Sequence, residues 1–167
     1  MRNVIVGLAA ALALWGCDPN TTAAQAPASA ASGSIPKWSG KTVGAELTGY
    51  NHTDKTIAAF YVDGEWGGNI FPGTGGGKFV CCAELPNPWY PGLKVNISWE
   101  DHEGKTHSRD VEVPKYDPKT LSTFNVHFLR SGEIKVFAVR MTLRHRDYPF
   151  TGPESELKPG VPIEKVY

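Results

Sequence analysis

Apolar and polar residues alternate over most of the chain between residues 43 and 143. The clearest case is residues 93–99, where Leu93, Val95, Ile97 and Trp99 are separated by polar residues. A period of two is typical of a β-strand with one face in a hydrophobic core. Seven further segments combine this patterning with β-branched or aromatic residues, and they are residues 43–51, 56–62, 65–70, 78–83, 105–113, 121–129 and 134–143.

Turn residues such as Asp63-Gly64 separate these segments, and Gly and Pro are frequent throughout the chain, at 18 and 13 residues. Short strands at turn-separated intervals predict an all-β fold, a single antiparallel β-sandwich, with an immunoglobulin-like arrangement as the first choice. In this pattern His127 occupies an outward position of its strand, so we expect it at the surface. The consecutive apolar residues Val136–Val139 suggest burial on both faces there, or a shift in pleat.

The two ends of the chain differ from this patterned middle. Residues 1–16 have the composition of an export signal, with Arg2 followed by an apolar run from Val4 to Leu14 that is too short to span a bilayer. Residues 17–34 are rich in Ala, Ser, Thr and Pro and predict a flexible tether. We place the folded domain at residues 35–167 and expect residues 144–167, which contain four prolines, to lie on it as an irregular tail.

The signal ends in Leu14-Trp15-Gly16-Cys17, which resembles the lipobox of bacterial lipoproteins, although Trp15 departs from the usual small residue. The resemblance implies cleavage before Cys17 and its modification by diacylglycerol and a further acyl chain such as palmitate. Several acyl chains anchor a protein stably. The expected location is therefore the periplasm of a Gram-negative bacterium, on the inner or outer membrane. The alternative is a plain signal peptide with a chance cysteine near its end.

The charge balance bears on the partner. The chain has 17 basic and 17 acidic residues, and this neutrality argues against a nucleic-acid partner, which requires a basic face. The adjacent residues Cys81 and Cys82 are a candidate disulfide, because export exposes them to an oxidising compartment. In a regular strand their side chains would point to opposite faces and could not bond without a turn. The alternative is that they are two small apolar core residues.

The sequence gives little support for catalysis or for a cofactor. It contains no Gly-x-Ser-x-Gly elbow, and the five histidines form no cluster with metal-ligand spacing. The glycine-rich stretch 72–77 lacks the Lys-Ser/Thr of a phosphate-binding loop and precedes no helical pattern, so we interpret it as a mobile surface loop. We therefore expect no catalytic residues, no metal and no cofactor. A cysteine nucleophile paired with His52 stays open as an alternative.

Aromatic residues near Gly and Pro are the best candidates for a binding surface. Rigid aromatic side chains on such turns are common in protein interfaces, although they also plug the ends of sandwich cores. Together with neighbouring polar residues they give the predicted partner-contact set: Tyr50, His52, Asp54, Asp63, Glu65, Trp66, Trp89 and Tyr90.

The middle third of the chain resembles a family of small proteobacterial lipoproteins catalogued as a domain of unknown function. The resemblance is carried by five pieces in order: GYNHT at 49–53, GGN at 67–69, GGG at 75–77, CC at 81–82 and PGLKV at 91–95. Members of this family are similar to immunity lipoproteins paired with type VI secretion phospholipase effectors. The resemblance implies a periplasmic protein that binds and blocks a toxic lipase. The alternatives are an envelope lipoprotein without a toxin partner, or a thiol-based redox or metal-binding protein that uses Cys81 and Cys82.

Overall fold

The computed structural model describes Trp38 and residues 40–158. The predicted signal peptide (1–16), the lipidation site Cys17, the tether (17–34) and the last part of the tail (159–167) lie outside the described residues. No helix among the described residues is long and apolar enough to cross a membrane.

The described chain is built from eight strands and one 3-10 helix, Pro153–Ser155. The strands are β1 (Thr42–Asn51), β2 (Ile57–Val62), β3 (Glu65–Ile70), β4 (Val80–Pro86), β5 (Lys94–Asp101), β6 (Thr106–Glu112), β7 (Thr123–Phe128) and β8 (Ile134–Val139). Each predicted segment overlaps one strand, although β4 and β5 extend past the predicted ends and β7 and β8 are shorter than predicted. The all-β class is confirmed.

The strands form two four-stranded sheets: sheet A has the order β4-β1-β7-β8, and sheet B has the order β3-β2-β5-β6. The predicted β-sandwich is therefore confirmed. All neighbouring strands are antiparallel except β1 and β7, which run parallel. Because β1 and β2 lie in different sheets, the strand order differs from that of immunoglobulin domains, in which the first two strands share a sheet.

The core lies between the two sheets and consists of the inward residues of both. Leu47 and Phe124 from sheet A and Phe60 and Ile97 from sheet B have no measurable exposure. Burying one such side chain contributes about 1.5–3 kcal/mol relative to leaving it exposed. The alternation in β5 places Val95 and Ile97 inward as the sequence pattern predicts.

The outer face of sheet A is also buried. All six residues of β7 are buried, including the outward-pointing Asn125 and His127. A second apolar cluster, with Tyr148 and Phe150 at its centre, covers this face. We call residues 140–158, which follow β8, the C-terminal segment. The prediction that His127 is a surface residue is wrong, because alternation identifies the outward face but not what covers it.

The outer face of sheet B is different. The four outward residues of its edge strand β6 are all exposed, and they are Thr106, Ser108, Asp110 and Glu112. Next to them, the outward residues Asn96 and Ser98 of β5 are half-buried. The two sheets thus have one covered and one open outer face.

The two sheets approach each other closely at Gly49 of β1. A β-carbon at this position would overlap Ile70 Cδ1 and the Phe60 ring of sheet B. Only glycine fits here without displacing core side chains, since the interior is densely packed.

We predict that Gly49→Ala lowers the free energy of unfolding by about 1–3 kcal/mol, because the added methyl group overpacks the core. Gly77→Ala is the matched control, since a β-carbon at Gly77 meets nothing within 4 Å. Its effect should stay within about 0.5 kcal/mol. Urea unfolding followed by tryptophan fluorescence measures both variants, and equal losses would contradict the close approach at Gly49.

Candidate functional site

The loop between β3 and β4 is attached to the end of β1. The Asn51 amide donates to the Thr74 carbonyl at 2.8 Å, and the Gly76 amide donates to the Gly49 carbonyl at 3.1 Å. A bridge pairs Tyr50 with Gly75. These bonds correct the expectation of a mobile surface loop. They also engage the Gly76 amide, which a phosphate-binding loop would direct at its ligand.

Tyr50 and His52 were predicted to contact a partner, and the structure corrects this prediction. Each is only 2% exposed. Tyr50 points outward from sheet A, but the C-terminal segment lies over it, and its hydroxyl accepts a hydrogen bond from the Leu143 amide at 3.3 Å. Both residues therefore belong to a buried cluster between sheet A and the C-terminal segment.

A continuous chain of hydrogen bonds crosses this cluster. The Tyr148 hydroxyl lies 2.7 Å from His127 Nε2, and His127 Nδ1 lies 3.0 Å from His52 Nε2. The other ring nitrogen of His52, Nδ1, lies 3.3 Å from the carbonyl oxygen of Glu156. A carbonyl oxygen can only accept, so His52 Nδ1 carries a proton.

This terminal acceptor fixes every other proton when both rings are neutral. His52 Nε2 must accept from His127 Nδ1, and His127 Nε2 must then accept from the Tyr148 hydroxyl. All the protons point one way, from Tyr148 to Glu156. Each buried ring nitrogen thus has one hydrogen-bond partner, which offsets the free-energy cost of burying a polar atom.

The surroundings of the chain are aromatic and favour the neutral rings. The Tyr50 ring stacks on His127 with centroids 4.6 Å apart, and Phe150 meets His127 edge-on at 5.1 Å. Burial lowers the pKa of His127 well below its ordinary value and also lowers the pKa of His52. Burial raises the pKa of the Tyr148 hydroxyl. At neutral pH the cluster is therefore uncharged.

This arrangement bears on the alternative of a cysteine nucleophile with His52 as its base. Both ring nitrogens of His52 are engaged, one by His127 and one by the Glu156 carbonyl. The histidine that such a mechanism would need is thus committed to the buried chain.

Cys81 and Cys82 lie at an irregularity of β4. Leu47 pairs with Val80 and Ala45 pairs with Ala83, so the two cysteines occupy the space opposite Glu46 alone. Such a bulge breaks the alternation of a strand. The structure joins the two sulfur atoms in a disulfide, with Cys81 exposed and Cys82 half-buried. The alternative of two small core residues does not fit this exposure.

The other predicted contact residues lie at two ends of the sandwich. Asp54 is exposed in the connection before β2, whereas Asp63, Glu65 and Trp66 are exposed around the turn after it. The strand between them has six residues, which corresponds to about 20 Å. They therefore do not form one compact surface.

Trp89 and Tyr90 are half-buried and pack against the main core. The indole nitrogen of Trp89 donates to the Val113 carbonyl at 3.0 Å, and Tyr90 stacks on Trp38. Trp66, in contrast, is 52% exposed. The two predicted roles of turn aromatics are thus divided between residues: Trp89 and Tyr90 close the core, and Trp66 faces solvent.

Asp63 is held rigidly beside Trp66. Positive φ angles at Asp63 and Gly64, 49° and 90°, give the primed hairpin turn that the Asp-Gly pair predicts. The backbone amide of Asn96 donates to the Asp63 carboxylate at 2.7 Å, and the side-chain amide of Asn96 donates to the Asp110 carboxylate at 2.8 Å. Although Asp63 is exposed, neighbouring protein atoms displace part of the water around its carboxylate, and this raises its pKa. The Asp110 charge acts in the same direction, whereas the hydrogen bond from the Asn96 backbone amide lowers the pKa.

The two histidines of the β5–β6 hairpin, His102 and His107, have different acidic partners. His107 lies 2.6 Å from an Asp101 carboxylate oxygen and stacks on Trp99, while His102 is exposed beside Glu103. The hydrogen bond from His107 is the main reason why the pKa of Asp101 falls to about 2. Among residues 38 and 40–158 there is no group of three or more His, Cys, Asp or Glu arranged to hold a metal ion.

Sequence reasoning missed the partners that complete the buried chain. Tyr148, Phe150 and the Glu156 carbonyl all come from the predicted irregular tail. The available signal was the pair of aromatic residues in an otherwise polar stretch, which predicts a point of attachment to the domain.

Comparison with protein families gives one match. Residues 50–136 match the model of the family DUF3304, described as a protein of unknown function. The chain belongs to DUF3304. Comparisons with curated proteins and with solved structures found no match. The DUF3304 region contains both His52 and His127 but ends before Tyr148.

We predict that Tyr148→Phe lowers the free energy of unfolding of this DUF3304 protein by about 1–3 kcal/mol, because His127 Nε2 is then buried without a donor. Tyr61→Phe is the matched control, since Tyr61 is half-buried on sheet B, away from the chain of hydrogen bonds. Urea unfolding at pH 7.5 measures both. A loss no larger for Tyr148→Phe than for the control would show that the hydroxyl does not stabilise the cluster.

Proposed function

We propose that this DUF3304 protein is a lipid-anchored periplasmic protein that binds a protein partner through the outer face of sheet B. In its more specific form, the proposal is an immunity protein that occludes a type VI secretion phospholipase effector. The observation that carries the binding role is the asymmetry of the sandwich. The chain buries the outer face of sheet A with its own C-terminal segment, whereas the outer face of sheet B is exposed and carries Trp66.

Trp66 is placed as an anchor residue would be. Trp66 of β3 pairs with Tyr61 of β2, and Tyr61 pairs with Ser98 of β5. Ser98 in turn pairs with Ser108 of β6. These residues form one row across all four strands of sheet B. The row thus places two aromatic residues, Trp66 and Tyr61, next to two small polar residues, Ser98 and Ser108. Tryptophan and tyrosine are enriched among the residues that contribute most of the binding energy of interfaces.

The charge of this face indicates the chemistry of the partner. The outward residues of β5 and β6 include Glu100, Asp110 and Glu112 but only Lys94 as a base. Asp63 adds a carboxylate fixed beside them at 2.7 Å from the Asn96 amide. We infer that the partner presents basic groups around an apolar pocket for Trp66. Charge complementarity of this kind accelerates association and disfavours wrong partners.

The predicted lipidation at Cys17 supports the more specific form of the proposal. A phospholipase acts on membrane lipid, so an inhibitor anchored at the membrane through Cys17 meets the enzyme where it acts. The toxin class comes from the family resemblance, and the candidate contact surface is the open outer face of the four-stranded sheet B. A stable complex would bury about 1,600 Å² in total.

The exposed Cys81–Cys82 disulfide favours a second candidate, a thiol-based redox protein. Free-thiol titration before and after mild reductant separates the two functions. Two sulfurs that stay unreactive throughout would count against redox cycling.

The test of the binding role is affinity capture with the full-length lipoprotein, tagged at its C-terminus and solubilised in detergent from cells that produce the effector. Mass spectrometry should identify one stoichiometric basic partner, and a lipase would support the immunity role. Recovery of envelope components alone would favour the structural lipoprotein instead.

We predict that Trp66→Ala weakens partner binding at least tenfold, which corresponds to about 1.4 kcal/mol, while leaving stability nearly unchanged. Phe79→Ala is the matched control, because Phe79 is similarly exposed at 46% but precedes β4 of sheet A. Surface plasmon resonance with the captured partner measures both. Equal affinities for the two variants would remove the open face of sheet B as the contact surface.

Trp89→Ala provides the opposite control. Trp89 packs against the core and donates to the Val113 carbonyl, so its loss should lower the free energy of unfolding by about 3–5 kcal/mol. Any effect of this variant on binding should disappear when affinities are referred to the folded fraction.

We predict that Cys17→Ser moves the protein from the membrane fraction to the soluble periplasmic fraction, because the thioether-linked lipid can no longer form. Fractionation with immunoblotting measures the location, and intact mass measures the acyl chains. A wild-type protein that is already soluble and carries no acyl mass would contradict the lipid anchor.

A further inference from the structure

We propose that the C-terminal segment is a pH-controlled lid, which the neutral pair His52–His127 holds on the outer face of sheet A and which is released in acid. The proposal is independent of the partner-binding role. It rests on how the segment is attached and on what a proton would do to that attachment.

The two histidines provide much of the attachment, beside the hydrogen bond from the Leu143 amide to the Tyr50 hydroxyl. The Tyr148 hydroxyl bonds to His127 at 2.7 Å, and the Glu156 carbonyl bonds to His52 at 3.3 Å. Phe150 lies edge-on to both imidazole rings, 5.1 Å from His127 and 5.9 Å from His52. The Tyr148 hydroxyl, the Glu156 carbonyl and the Phe150 ring therefore all contact the same pair of histidines.

The chain of hydrogen bonds accommodates the neutral pair better than a charged one. In the neutral pair, each ring nitrogen either donates once or accepts once. A first added proton makes both nitrogens of one ring donors, so the Tyr148 hydroxyl must turn from donor to acceptor. A second proton places two N–H groups against each other across the 3.0 Å gap between His52 and His127. Both steps also place charge in an aromatic, buried site.

Other charged and titratable groups lie on the strands, the turn and the lid that carry the pair or pack against it. They are Tyr50 on β1, Arg130 and Glu133 in the β7–β8 turn, Lys135 on β8, and Arg144, His145, Arg146, Asp147, Tyr148, Glu154 and Glu156 on the lid. Arg130 donates to the Glu156 carbonyl at 2.7 Å, and its charge opposes protonation of His52. The charge of Glu154 favours that protonation but is shared with Lys135. The Arg130 charge thus acts in the same direction as burial, whereas the hydrogen bond to the Glu156 carbonyl and the Glu154 charge oppose it.

The sign of the pH effect follows from these environments. Burial is the largest cause that lowers the pKa of His52 and of His127 from 6.5. With the lid open, both rings reach water and regain a pKa near 6.5, so the open state binds more protons below that pH. The lid is fully stabilised above about pH 6.5 and loses stability as the pH falls below it. Each histidine contributes up to about a tenfold change in the opening constant per pH unit, so two contribute about a hundredfold.

Hydrogen exchange with mass spectrometry on the full-length protein between pH 7.5 and 5 tests the lid directly. The opening constant for peptides within residues 140–158 is obtained after correction for the intrinsic exchange rate at each pH. Its logarithm should be flat above pH 6.5 and should rise with a slope approaching two below it. Amides of β5, such as Val95 and Ile97, should stay protected over the same range.

Variants assign the two protons. His52→Gln and His127→Gln should each reduce the slope to about one, and the double variant should reduce it to about zero. His145→Gln is the matched control, because His145 is exposed on the lid itself and should leave the slope unchanged. If circular dichroism shows that a glutamine variant is unfolded at pH 7.5, the proposal is judged from the slopes of the wild-type protein and of Tyr148→Phe.

A wild-type slope of one or less would overturn the proposal. So would loss of β5 protection in parallel with the lid, since that would show global unfolding rather than release of one segment. A slope that His145→Gln removes would place the sensor outside the buried pair and would overturn it as well.

Discussion

The buried hydrogen bond between the Tyr148 hydroxyl and His127 is the contact on which the closure of the outer face of sheet A depends. His127 lies on the outward face of a central strand, and its ring is fully buried. A polar ring in that position is stable only when both nitrogens have partners. Tyr148 supplies one partner and His52 the other, at 2.7 and 3.0 Å. These bonds let the C-terminal segment close over sheet A, so that the central strand β7 is buried on both faces.

Closure of one face gives the domain its functional asymmetry. An antiparallel sandwich normally presents two solvated outer faces, and either one can become an interface. Here Phe137, Tyr148 and Phe150 of the same chain cover one of these outer faces. The exposed aromatic Trp66 and the carboxylates of Asp63 and Asp110 are left on the other. The same chain thus separates a surface that stabilises the domain from an open surface, which we propose binds the partner.

The contacts that sequence patterning could predict are local, and those it missed are distant. The period of two identified the inward residues of β5 and β7, and Asp63-Gly64 identified a primed turn, because each depends on neighbouring residues. The partners of His127 are 21 and 75 residues away along the chain, at Tyr148 and His52. The parallel pairing of β1 with β7 is equally distant, since it joins residues 46–51 to 123–128. Alternation alone carries no information about such pairings, so His127 and His52 were both expected at the surface.

The DUF3304 match covers only some of the residues that form the buried cluster. The matched residues, 50–136, include both histidines and the strands that carry Trp66 and Asp110, but not Tyr148, Phe150 or Glu156. Within the matched region alone, His127 Nε2 would lack its donor and His52 Nδ1 would lack its acceptor. The two rings of this chain therefore need a cover from outside the matched region. In this chain the cover is the C-terminal segment, and the cost of burying two histidines makes that cover sensitive to protons.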